Sequence, residues 1–257
     1  MNRLLLVICL LAPLLASRAD TLKISDSAAR EIGNRLWKNE CGGTYEGLTA
    51  WNKGEEFPSL GIGHFIWYPE GRRGPFHESF PELVRYLQSQ GVKVPAWLEL
   101  PCPWPNRAAF MADFDSTRMK KLRALLVETV PQQARFAALR LEKALPKMLA
   151  ACPPGDRERV KKNFYLVARE PLGPYALVDY VNFKGEGVSP TERYNGKGWG
   201  LLQVLQTMKV SPGEPATYAF ADAADFVLTR RVENSPPARQ EARWLPGWRN
   251  RLSTYKK

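Results

Sequence analysis

Between Ser25 and Asn39 apolar residues stand at Ala29, Ile32 and Leu36, three and four positions apart, which puts them on one face of a helix. Ser25, Asp26 and Ser27 precede that face, and each is a residue type that caps a helix start; Gly42-Gly43 supplies the stop. The pattern then changes. Thr44 to Tyr68 is rich in Gly, Thr, Ser and aromatic residues, with turn signals at Asn52-Lys53-Gly54 and Pro58, and this predicts a small β-hairpin region facing the end of the helix. Tyr68 to Pro105 is less regular, with Gly71-Arg72-Arg73-Gly74 and a proline-rich turn around Cys102, and suits a lid or a surface excursion. From Ser79 onward helical spacing runs nearly to the end, cut by prolines at Pro131, Pro153, Pro171, Pro212 and Pro236. The expectation is an α+β, mostly α fold in one domain, since no repeat, low-complexity linker or shift in composition marks a second one.

Composition supports a folded core, with 44% hydrophobic residues in a chain of 257. A net charge of +11 points to a polyanionic partner, and nucleic acid is the first candidate. The N-terminus argues against it. Arg3 is followed by an uncharged run from Leu4 to Ala16 and then by Ser17-Arg18-Ala19, the arrangement of a cleaved secretory signal. That run is well short of the roughly 20 residues that cross a bilayer, and Cys9 lacks the small residue before it that a lipid anchor needs. A signal over 1–19 and a mature chain over 20–257, periplasmic or secreted, are expected. No membrane anchor, no nucleic acid and a monomeric state go with that reading, and the surviving basic charge suits an anionic cell-wall polymer.

Cys41, Cys102 and Cys152 remain after cleavage, an odd number in an oxidising compartment. Cys102 and Cys152 bracket a helix-rich stretch beside prolines and are the expected disulfide. With two histidines and no CxxC there is no ligand set for a metal. The GxSxG, GxxxxGK[ST] and GxGxxG motifs are missing too, so no cofactor is expected.

Candidate chemistry starts with acids whose surroundings favour the protonated form, because a carboxyl that donates near neutral pH needs such a setting. Glu40 ends the first helix close to Trp37, where the helix dipole is negative. The block that follows, Ser59-Leu60-Gly61-Ile62-Gly63-His64, resembles the [TS]-x-G-[IY]-G-H hairpin of phage-type lysozymes, glycoside hydrolase family 24. Ala176-Leu177-Val178-Asp179-Tyr180-Val181-Asn182-Phe183-Lys184-Gly185-Glu186-Gly187 resembles that family's A-L-V-S-F-x-x-N-x-G-x-G helix with asparagine and phenylalanine interchanged. Gly200 to Leu205 resembles the S-T-L-L-x-x-L helix that follows, and Trp244 to Leu252 is close in character to the terminal G-L-x-x-R-R helix. These blocks together cover 33 of the 257 residues.

The resemblance implies a lysozyme-like fold and a peptidoglycan glycosidase, with Glu40 as the general acid and Ser59 in the place of the family's threonine. The long gap between His64 and Ala176 implies an extra helical insert over about 69–171. Where the family's hairpin acid would fall the chain has Asn52 or Lys53, so the second group is open among Glu46, Glu55 and Glu56. Alternation along a strand puts Glu55, Phe57 and Ser59 on one face, which selects Glu55 to hold a water with Ser59. Trp51, Trp67, Tyr68, Tyr194 and Trp199 are candidates to stack on sugar rings, with His64 and Gln203 as further substrate contacts. Gly200-Leu201-Leu202-Gln203 also resembles the G-L-M-Q motif of lytic transglycosylases, which work with a single glutamate. A non-catalytic glycan binder of the same fold is the remaining alternative.

Overall fold

A computed structural model describes residue 22 and residues 24–256; the expected signal segment lies outside the described residues. Helix α1 (Asp26–Cys41) starts on Ser25, whose hydroxyl accepts the Ala28 N–H at 3.2 Å, satisfying one of the donors a helix start leaves free. Its apolar face of Ala29, Ile32 and Leu36 is buried. The helix ends where Gly42 turns left-handed at φ 62° and the Gly43 N–H donates to the Trp37 carbonyl at 3.1 Å.

The expected hairpin region is an antiparallel sheet of three two-residue strands, β1 (Thr49–Ala50), β2 (Ser59–Leu60) and β3 (Phe65–Ile66), with Ser59 between Ala50 and Ile66. Strands this short need outside support, and side chains of the helical part provide it. The helices are α2 (Phe80–Ser89), α3 (Arg107–Ala112), α4 (Thr117–Glu128), α5 (Val130–Ala151), α6 (Arg157–Ala168) and α7 (Gly173–Lys184). From α5, Gln133 accepts the Ile62 N–H at 3.0 Å while its amide donates to the Leu126 carbonyl at 2.6 Å. From α4, the buried Arg123 donates to Thr49 Oγ1 at 2.7 Å. Gly61 sits at φ 73°, and a Cβ there would lie 2.3 Å from Gln133 Oε1, so the turn admits glycine alone at its closest approach to α5.

After α7 the chain forms β4 (Arg193–Tyr194) and β5 (Lys197–Gly198), then α8 (Leu201–Thr207), α9 (Ala216–Asn234) and α10 (Leu245–Ser253). The 22-residue α5 is the axis of the fold: α1 packs along it, and α2, α6 and α7 also touch it. It lies inside the segment set apart as an insert, so that segment contributes to the central core. Helix α9 holds α8 and α10.

The mostly α architecture agrees with the sequence pattern, and two expectations need correction. Helical spacing does not run unbroken from Ser79, because β4 and β5 pair across Asn195 (φ 47°) and Gly196 (φ 72°), the two-residue turn that Asn-Gly favours. The Cys102–Cys152 disulfide is absent, since Cys41, Cys102 and Cys152 are all free and buried. Each thiol is taken up locally instead: Cys102 donates to the Trp104 carbonyl at 3.7 Å, and Cys152, the residue after α5, to Leu149 at 3.4 Å. Burial pushes the Cys102 thiol up to about 11. Among the described residues no helix is long and apolar enough to cross a membrane.

Candidate functional site

Glu40 stands one residue before the end of α1, where the helix meets the β2–β3 turn. The Cys41 thiol donates to the Gly61 carbonyl at 3.5 Å and ties the two together. In that turn His64 adopts φ 47°, a left-handed conformation uncommon outside glycine and worth a functional reading. Its Nδ1 lies 3.6 Å from Glu40 Oε2. The other carboxylate oxygen, Oε1, accepts a hydrogen bond from Arg251 Nη2. Arg251 thus holds one oxygen of Glu40 and His64 stands opposite the other, while the Glu40 side chain keeps 14% exposure.

Arg251, on α10, reaches Glu40 because a second acid anchors it. Its Nε and Nη2 donate to the two oxygens of Asp179, each at 2.8 Å, the planar fork geometry that arginine matches to carboxylate. Asp179 is fully buried on α7 and also accepts from Tyr255 Oη at 2.6 Å and Asn39 Nδ2 at 3.0 Å. Burial by itself would lower the Arg251 pKa, but the hydrogen bonds and charge of Asp179, with Glu40 behind them, raise it above its ordinary value. The guanidinium stays charged. Burial and the Asp179 charge likewise raise the Tyr255 hydroxyl, keeping it a donor.

The Arg251 guanidinium carbon lies 4.4 Å from the centre of the Phe183 ring, and Phe183 walls a cavity of about 570 Å³ together with Lys184, Tyr194, Trp199, Arg231 and Arg239. Beyond Val181 and Asn182, which line both, a second cavity of about 290 Å³ lies against α5. Glu40 itself lines neither cavity; Arg251 and Phe183 stand between it and the larger one.

The other expected site residues are distributed unevenly. Glu55 lies in the β1–β2 connection, where its carboxylate accepts from Asn52 Nδ2 at 3.1 Å. Residues 51–58 form turns and bends, so strand alternation does not govern Glu55, Phe57 and Ser59, and the argument that selected Glu55 falls. Ser59 is in β2 at 4% exposure. Among the described residues no hydrogen bond or ion pair joins Glu55 or Ser59 to Glu40.

Trp51, Trp67 and Tyr68 are core residues, not exposed sugar platforms. Trp51 donates Nε1 to the Glu55 carbonyl at 2.7 Å and packs edge-on to Phe110. Trp67, at 2% exposure, is enclosed by Phe80, Trp97 and Trp104, and buried Tyr68 meets Phe57 edge-on. Gln203 is likewise consumed by structure: its Oε1 accepts from Gly200 N and its Nε2 donates to the Gly187 carbonyl, both at 3.0 Å. Tyr194 and Trp199 do face the larger cavity.

Sequence reasoning missed Asp179 and the role of Arg251. The signal was present, because an acid inside Ala176-Leu177-Val178-Asp179-Tyr180-Val181 has to be buried with that run and a buried carboxylate needs a cation. Among the described residues no three His, Cys, Asp or Glu cluster to hold a metal ion. No family model matches the chain, and neither a curated protein nor a solved structure does.

Proposed function

We propose that the protein is a secreted, lysozyme-like peptidoglycan glycosidase that cleaves the β-1,4 bond between N-acetylmuramic acid and N-acetylglucosamine, with Glu40 as the general acid. The observation that carries this reading is the setting of Glu40: a nearly enclosed carboxylate, oriented by Arg251 at one oxygen and facing His64 with the other. Glycosidic cleavage needs a positioned acid to protonate the departing oxygen as charge develops on the ring carbon. The Arg251 clamp leaves Oε2 as the oxygen that faces the turn and is the one to carry that proton. His64, held next to it, suits a role in passing the proton on or keeping the carboxyl oriented. Resemblance of Ser59–His64 to the family hairpin agrees with this placement.

In the hydrolytic form of the reaction, Glu55 and Ser59 would hold the water on the far side of the sugar. The pairing of Glu55 with Asn52 and the burial of Ser59 favour a second reading, lytic transglycosylation, in which the muramyl 6-hydroxyl attacks the anomeric carbon and no second carboxylate is required. Mass spectrometry of the products separates the two, since a 1,6-anhydro end marks transglycosylation and a reducing end marks hydrolysis. The reading as a whole is tested by Glu40→Gln. The amide can still accept from Arg251 but cannot donate a carboxyl proton, so lysis of purified peptidoglycan is expected to fall on the order of 10²- to 10⁴-fold with an unchanged melting temperature. Near-normal lysis by the folded variant would overturn the assignment, and binding without lysis by the wild-type chain would indicate a glycan-binding protein.

A further inference from the structure

The 570 Å³ cavity is lined by more positive charge than its own acids neutralise. Arg231 and Arg239 share one carboxylate, that of buried Glu241, at 2.7 Å and 3.5 Å. Burial opposes ionisation of Glu241, yet the hydrogen bonds from Arg231 and Tyr194 hold its carboxyl below the usual range, so it remains an anion divided between two cations. Lys184 has no such partner. Among the described residues its ammonium makes no hydrogen bond or ion pair, and it lies 3.9 Å from the Phe183 ring centre and 3.6 Å from that of Trp248. Contact with aromatic faces favours a cation but supplies no anionic partner.

A second unpartnered donor lies within the cavity wall. Asn182 lines the cavity, and its Nδ2 is buried without a partner. Buried donors are ordinarily satisfied, and exceptions call for a reason. The group that lines the cavity without an anionic partner is a donor, and the surplus positive charge around it suits an anionic acceptor. Burial and the neighbouring Arg231 charge bring Lys184 down to about 7, partly offset by Glu241, which is the state of an ammonium that lacks its counter-ion.

We propose that this cavity is a carboxylate-binding subsite, in which Lys184, backed by Arg231 and Arg239, takes a carboxylate carried by the substrate. This rests on the glycosidase reading for the identity of the substrate, though not for the chemistry of the site. A wall glycan can present such a group from the lactyl ether of its muramic acid or from a peptide stem. Glu192, the one carboxylate among the cavity's lining residues, competes for the same charge, and its removal strengthens binding.

The test uses the full chain carrying Glu40→Gln to prevent turnover, and measures dissociation constants at pH 7 for three disaccharides. These are a muramyl disaccharide with a free lactyl carboxylate, the same disaccharide bearing a short peptide, and neutral chitobiose. One or both carboxylate ligands should bind about tenfold more tightly than chitobiose, a difference of about 1.4 kcal/mol. The tighter of the two identifies the source. Adding Lys184→Met should abolish the preference, Lys184→Arg should retain much of it, and Glu192→Gln should increase it.

D-Lactate alone probes the cavity apart from any glycan. It should shift the Lys184 side-chain NMR signals in the Glu40→Gln chain, and the shift should be stronger with Glu192→Gln. A lactate response in a protein that neither binds glycan nor lyses wall would keep the subsite and remove the glycosidase reading. Equal affinity for all three disaccharides without a lactate response, or a preference that survives Lys184→Met, would overturn the subsite.

Discussion

At the scale of single residues, Arg251 joins more of the site than any other side chain described. Replacing it with Met would leave Asp179 buried without its bidentate partner, and breaking such a pair from one side costs about 3–5 kcal/mol. The melting temperature of Arg251→Met should drop accordingly, and adding Asp179→Asn should recover part of the loss because the stranded charge is then gone. Lys184 makes a prediction of opposite sign. Its pKa of about 7 lies below the ordinary 10.5, so between those values the unfolded chain holds the proton that the folded chain has lost, and stability rises with pH across that window. Below about pH 7 both states are protonated and the whole cost of burying the ammonium is present. Lys184→Met should thus raise the melting temperature most at pH 6, and the gain should shrink toward pH 10 in a thermal-unfolding series. Of these residues, Glu40 was legible from its place at a helix end. Asp179 was legible as an acid needing a cation, but not the cation itself, which comes from 72 positions along the chain.

At the scale of elements, the small sheet is held by helices and not by its own ladders. Gln133 makes this concrete, since it spans the Ile62 N–H, the Leu126 carbonyl and the Thr129 hydroxyl while fully buried. Gln133→Ala leaves the Ile62 N–H unmet, which costs about 1–3 kcal/mol. It should also lower lysis at temperatures where the protein remains folded, because the same turn carries His64; activity and circular dichroism measured together separate the two effects. The first hairpin was legible from its glycines and turn residues. Its register was not, because an alternation argument presumes an extended strand and the chain between Trp51 and Pro58 turns instead. The second hairpin was legible and overlooked: Tyr194-Asn195-Gly196-Lys197 carries the strongest short-range turn signal a sequence offers, but it sits inside a stretch of helical spacing that hid it.

At the scale of the whole molecule, helical content followed from periodicity, whereas the meeting of α1 with α5 and of α10 with α1 depended on long-range packing that spacing cannot encode. The disulfide expectation failed for a related reason, since cysteine count and compartment say nothing about whether a well-packed core already occupies each thiol. The bond between Arg251 and Glu40 closes a loop of 211 residues and gives the site a place in time. During synthesis the acid emerges early, with the turn that carries His64 close behind it, and waits for the final helix before Arg251 can reach it. A chain cut short after Trp244 should therefore be inert in the lysis assay, and a peptide covering 245–256, added separately, should restore some activity if the remainder folds. If the proposed activity holds, a chain released before its last helix would be a product without function, so completion of the C-terminus, more than emergence of the acid, would decide when the site exists.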